Sequence, residues 1–332
     1  MPDAATQSPK IELHLHLEGA APPDFMRRLA GEQRTDISGI FDEAGQYSFK
    51  DFNDFLRVYE AATTLLKTPD HFARLLSAVA EELAQQGAIY AELFISPDFC
   101  GGGDLAAWRE YLAAMEEAAV RASAIQGLEL RGIVTAIRHF GPETARAPAI
   151  CAAETAGSFI TGFGMGGDEL AGTPADFAWS YDCAREAGLG LTIHAGEWGG
   201  AASVRQALDA LAPQRIGHGV QAIDDPALVD RLAREGIVLE CCPGSNVFLG
   251  VTPSWADHPI EQLRAGGVKV TVSTDDPPFF RTDLTREFAM LADTFDWAEP
   301  EFAEVTKNAL AAAFCDEATR DELRKRLEGA GL

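Results

Sequence analysis

Four of the seven histidines stand in short contexts suited to metal chemistry. His14 and His16 lie in KIELHLHL at 10–17. On a strand, alternate residues share a face, so these two imidazoles point the same way and can grip one ion. The run 268–276, VKVTVSTDD, reads as a strand delivering Asp275 to the same kind of rim, with Asp276 opening the loop behind it. LGLTIHAGE at 189–197 ends in His194 and, two residues past Ala195, Glu197. RIGHG at 215–219 sets His218 between two glycines, where a backbone or a ligand can come close. Taken singly, a histidine or an Asp-Asp-Pro turn is more often structural. Taken together, all four put polar groups at the C-terminal ends of strand-like runs.

His14, His16, His194 and Asp275 form a nitrogen-and-oxygen donor set. Zinc suits it best, with iron, cobalt or manganese as alternatives. A catalytic zinc keeps a position for water and lowers the pKa of that water to about 7. His218 is then free to orient the water, and Glu197 to move a proton. Asp275 can bind the metal and also accept a hydrogen bond from the water. Barrels that hold two metals bridge them through a modified lysine on the fourth strand. The segment 158–168 has no lysine, so one zinc per chain is expected. His71, His139 and His258 fall outside the pattern: His71 in a helical stretch, His139 after a strand end, His258 before Pro259 at a helix start, structural or on the surface.

Positioning these groups requires a particular scaffold. Short runs rich in Val, Ile and Leu recur at 11–17, 88–95, 128–137, 159–164, 189–194, 215–218, 237–241 and 268–274. Between them lie stretches with helical spacing, among them 68–86, 104–126, 174–187, 201–211, 226–235 and 259–265. Repeated strand–helix units imply a parallel sheet, and eight of them imply closure into an α/β (β/α)8 TIM barrel. An open doubly wound sheet is the alternative, but no GxGxxG follows the first strand. The aromatic-rich segment 22–66, between strands 1 and 2, predicts extra helices folding over the barrel mouth. The tail 299–332 reads as helical. With no linker or repeat, a single domain over 1–332 is expected.

Composition agrees with a metabolic enzyme. With 27 Lys plus Arg against 51 Asp plus Glu, the net charge of −24 repels phosphates, so neither nucleic acid nor an anionic membrane is an expected partner. A hydrophobic share of 47 % can fill a large core, which excludes disorder as the main state. Six cysteines without a CxxC pair read as reduced thiols. The polar start MPDAATQSPK has no apolar signal core, and a cytoplasmic address follows. Oligomeric state stays open.

As a set, HLHLEG at 14–19, FKDFNDFL at 49–56, YAELFISP at 90–97, GDE at 167–169, HAGE at 194–197, GHG at 217–219 and STDDP at 273–277 resemble the adenosine deaminase family over nearly the whole chain. The resemblance implies a metal-dependent barrel that replaces the 6-amino group of a purine by oxygen and releases ammonia. It implies that His14, His16, His194 and Asp275 hold the metal and that Glu197 protonates purine N1 as oxygen attacks C6. By the same resemblance His218 holds and helps deprotonate the water, Asp276 faces N7, the Gly167 N–H faces N3, and His16 and Glu18 border the substrate. An acid aimed at N1 stabilises charge that develops only in the transition state. Two positions depart from adenosine-specific members. Glu18 replaces an Asp that meets the ribose 5′-hydroxyl, and glutamate there resembles adenine deaminases. Phe94 replaces an arginine. FKDFNDFL and the Ser96-Pro97 ending favour adenosine deaminases. The leading expectation is adenosine or 2′-deoxyadenosine as substrate, with adenine or a modified adenine as the alternative. A barrel hydrolase of amides or esters, or a non-catalytic barrel, are the competing classes.

Overall fold

A computed structural model describes residues 8–332; most of the polar N-terminal segment, and with it the start of the expected single domain, lies outside the described residues. Eight strands alternate with helices: β1 (Lys10–His16), β2 (Ala88–Ile95), β3 (Glu129–Ile137), β4 (Ile160–Gly166), β5 (Gly190–Ala195), β6 (Arg215–His218), β7 (Val238–Cys241) and β8 (Lys269–Val272). They form one parallel sheet in sequence order, the TIM barrel expected from the eight apolar runs. Each strand is followed by at least one helix, as parallel neighbours require.

The ring closes in an unusual place. β8 stops at Val272, two residues short of its expected end, and the seam with β1 is made by Asp275. The Asp275 N–H donates to the His14 carbonyl at 2.9 Å, and the His16 N–H donates to the Asp275 carbonyl at 3.0 Å. Glu12 reinforces this seam, accepting from the His14 N–H and from both the N–H and the hydroxyl of Thr274.

Alternation along β1 separates two jobs. Ile11 and Leu13 face outward and pack with Ala309, Leu310, Leu323 and Leu327 of the two C-terminal helices, Glu299–Ala312 and Glu317–Gly329. Glu12, His14 and His16 face inward. Deep in the barrel Arg215 is fully buried, 2.6 Å from Glu92 and 2.5 Å from Glu240, with the Phe314 ring 3.6 Å from its guanidinium. The guanidinium is thus flanked by two carboxylates and an aromatic face, and Glu240 accepts a further hydrogen bond from His14 Nδ1. Loss of one partner from such a group costs about 3–5 kcal/mol, because a buried charge is then left alone.

The insert between β1 and β2 contains helices Pro23–Gln33 and Phe52–Thr63. Asp51 caps the second by accepting from the Asp54 N–H at 2.9 Å. The cap fixes where this helix begins, and with it the placement of Phe52, Phe55, Leu56 and Tyr59 over the barrel mouth. Tyr47 locks the insert down, its hydroxyl donating to the Ala21 carbonyl and its ring stacked on Phe279 at 3.8 Å. Among the described residues no helix is long and apolar enough to cross a membrane. The six cysteines are unpaired, four of them buried.

Candidate active site

Three imidazoles and a carboxylate converge at the C-terminal rim. His14 and His16 arrive on β1, His194 on β5, and Asp275 from the seam. His14 Nε2 and His194 Nε2 are 3.0 Å apart, and His16 Nε2 and His194 Nε2 are 3.1 Å apart. Asp275 Oδ1 stands 3.4 Å from His16 Nε2 and 3.6 Å from His14 Nε2. Glu240 on β7 accepts from His14 Nδ1 at 2.7 Å, which leaves the lone pair of Nε2 facing the cluster. Nitrogens at these separations fit a cation about 2 Å from each. Gly217 makes room for this packing: a Cβ there would lie 2.7 Å from His14 Cε1. Phe94, which stands where adenosine-specific members carry an arginine, packs on the imidazoles, stacked on His16 at 5.0 Å and tilted on His14 at 4.7 Å.

Backbone strain marks the same rim. Among the described residues six that are not glycine have positive φ. Four of them (Arg34, Ala212, Arg281 and Asp296) end helices in the left-handed conformation common there. The other two are His218, at φ 59°, and Asp275, at φ 67°. Strain of this kind persists only where surrounding structure over-determines it. Asp275 is held by its seam bonds and by Ser245, whose hydroxyl donates to Oδ2 at 2.7 Å. His218 Nε2 faces Glu197 Oε2 at 3.8 Å and Asp275 Oδ2 at 3.9 Å without a hydrogen-bond partner of its own.

The carboxyls here are electrically unequal. Burial opposes ionisation of Asp275, but hydrogen bonds from His14 and His16 outweigh it and hold the group well below the usual carboxylate range. Burial raises Glu197 well above its ordinary value, with Asp275 and Glu169 adding to the shift. Burial likewise raises Asp276, with Asp275 beside it, and Asp276 Oδ1 is an unpartnered atom at the cavity wall. One ionised carboxylate beside two proton-holding ones is the environment in which acid and acceptor roles separate.

These groups open into a cavity enclosing about 580 Å³, its mouth included. His16, Gly167, His194, Glu197, His218, Asp275 and Asp276 form its floor. Phe52, Phe55, Leu56, Phe99 and Phe280 form much of its roof, and Phe52 packs on Trp198 at 5.3 Å. Gly167 has φ +90°, which turns the chain after β4 along the wall. Glu18 does not line this cavity. It is buried one layer behind, accepting from the Ser96 N–H at 3.1 Å with the Tyr59 phenol beside it, and burial pushes it up to about 7.

Several functional neighbours escape sequence reasoning. Glu169, inside the GDE segment, accepts the N–H groups of Gly196, Glu197, Trp198 and Gly199 and so shapes the turn that carries Glu197. His139 lines the cavity, accepting from the Asp168 N–H at 3.2 Å and meeting Glu60 at 3.2 Å across the mouth. His258, expected to be structural or on the surface, is buried close behind His218. The GDE motif contained Glu169, and the place of His139 after a strand end set it near the same rim; nothing marked His258.

A family model described as adenosine deaminase matches residues 9–330. A protein from Chelativorans sp. called adenine deaminase is 49 % identical over 319 residues, spanning 96 % of this chain and 98 % of that one. The crystal structure of an adenine deaminase from Arthrobacter aurescens superposes with a TM-score of 0.88 at 29 % identity, over 98 % of both chains. An amidohydrolase from Burkholderia ambifaria, solved with bound Zn, superposes with a TM-score of 0.87 at 26 % identity, over 98 % of this chain and 91 % of that one.

Proposed function

We propose, on the premise that the chain belongs to the adenosine deaminase family and so deaminates an adenine-type purine, that its substrate is free adenine, converted with water to hypoxanthine and ammonia. The expectation of adenosine or 2′-deoxyadenosine gives way to its alternative. The relative described above is called adenine deaminase at 49 % identity, and Glu18 matches that pattern. The observation that carries the reading is the polarity of the cavity. Groups able to address a purine ring lie on the floor, Phe52, Phe55, Leu56, Phe99 and Phe280 make most of the cover, and the polar pair at the mouth, His139 and Glu60, is engaged with itself. A ribose would set its hydroxyls against those rings, and an unpaired buried hydroxyl costs about 1–3 kcal/mol.

The site residues take the following roles. His14, His16, His194 and Asp275 hold one zinc ion, which supplies Lewis acidity that makes water nucleophilic near neutrality. His218 Nε2 orients the attacking water, and Asp275 Oδ2 accepts a hydrogen bond from it. Glu197, kept protonated by burial, delivers its proton to N1 as the C6–O bond forms. Asp276 faces N7 and the Gly167 N–H faces N3. His16 borders the ring, and Glu18 acts from behind Tyr59. The proton that Asp275 takes from the water passes to the 6-amino nitrogen, which leaves as ammonia with the C6–N electron pair. The proton of the new C6 hydroxyl returns to the Glu197 carboxylate as the C6=O bond forms.

Ammonia release by the zinc-loaded protein tests the substrate. Adenine is expected to exceed adenosine and 2′-deoxyadenosine by about 100-fold in kcat/KM, the scale on which a pocket rejects unmatched groups. Equal or faster turnover of adenosine would overturn the reading.

A further inference from the structure

His218 is held from behind by two residues that no role above uses. The Ile260 amide N–H donates to His258 Nδ1 at 3.2 Å. A backbone amide can only donate, so His258 Nδ1 is the bare nitrogen and the ring proton sits on Nε2. That N–H meets Asn246 Oδ1 at 3.1 Å, which sets the orientation of the asparagine amide. The Asn246 Nδ2–H₂ group then donates to His218 Nδ1 at 3.2 Å. All three side chains are shut off from water, at 1 %, 0 % and 1 % exposure for His258, Asn246 and His218, so no solvent molecule competes for these bonds. Burial also pushes His258 down to about 3, which keeps its ring neutral.

We propose that Asn246 and His258 are positioning residues that lock neutral His218 into the tautomer carrying its proton on Nε2. The lock starts at a backbone N–H, whose polarity cannot reverse, and each bond dictates the sense of the next. Its end is the Nε2–H of His218, aimed between Glu197 and Asp275 with no partner of its own. His218 therefore donates to the oxygen of the attacking water. The water's protons then face Asp275, whose Oδ2 lies 3.9 Å from His218 Nε2. The expected part of His218 in deprotonating water passes to Asp275. This inference rests on the proposed role of His218 as the group that orients the water.

Nitrogen-15 histidine NMR on the zinc-loaded protein reads the tautomer directly and needs no substrate. His218 is expected to show a protonated Nε2 and a bare Nδ1; the opposite pattern overturns the proposal. Asn246→Asp places an oxygen against Nδ1 and draws the proton there. It is expected to keep one zinc per chain, hold KM for adenine within about threefold and lose about 100-fold in kcat, the scale of a misplaced proton-transfer partner. His258→Leu, which frees the Asn246 amide to flip, is expected to lose kcat in the same sense, and His258→Gln, which keeps a donor toward Asn246, to recover most of it. Wild-type kcat in Asn246→Asp, or equal losses in both His258 variants, overturns the proposal. Should Asn246→Asp fail to fold, the wild-type spectrum still decides. Should wild-type protein leave adenine untouched, the substrate reading fails while the spectrum stands as a separate result.

Discussion

Glu197 is a carboxyl group set where water cannot stabilise its charge. In the proposed reaction its proton is the working part, so Glu197→Gln, which keeps shape but has no acidic proton, is expected to retain metal and lose about 10²–10⁴-fold in kcat. Metal analysis alongside ammonia release checks both halves. His14→Ala removes one of the four groups proposed to hold the metal and leaves Glu240 without its imidazole; it is expected to lose the metal itself, seen as sub-stoichiometric zinc after dialysis. These residues could be picked from the sequence because their chemistry is local: two imidazoles one pleat apart, a carboxylate after a strand. Asn246 and His258 could not. An asparagine in the short helix Pro243–Phe248 and a histidine before proline carry no signal until the fold sets them 3.1 Å apart.

The turn after β5 shows what a connecting element contributes. One carboxylate, Glu169, gathers four successive N–H groups, 27 to 30 residues further along the chain. Glu169→Gln halves the acceptor capacity and removes the charge. Charge-assisted hydrogen bonds contribute about 1.5–3 kcal/mol, so a loss of stability on that scale is expected, with kcat falling because Glu197 rides on the turn. Urea unfolding and single-turnover kinetics separate the two effects. The elements themselves were readable: the strand period of β1 and the helical spacing around 104–126 match the structure to within a few residues. The end of β8 was not, since the apolar alternation through Val272 and Ser273 continues past the point where the backbone leaves the ladder. Left-handed φ at Asp275 has no signature in residue type.

At the scale of the molecule, burial of acidic groups ties stability to pH. Burial raises Glu287 to about 8, where it receives bonds from Thr282 and the Gly244 N–H. Its folded pKa exceeds its unfolded one, so the native state binds the extra proton between about 4.5 and 8. Stability from this group is complete below the lower value and is lost as pH rises through the upper one. The limit is about 1.4 kcal/mol per pH unit across that window. Urea midpoints are expected to fall from pH 6 to pH 9, and Glu287→Gln, a mimic of the protonated form, is expected to flatten the slope.

The seam of the barrel has one more consequence. Glu12 and Thr274, 262 residues apart, are joined where His14, His16 and Asp275 meet. The four-group cage thus draws on residues from 14 to 275 and comes into being only when the first strand of the barrel meets the segment after the last. On the ribosome, a nascent chain lacking its last strand has no such cage. A metal ion held by all four groups would therefore report that the ring has closed.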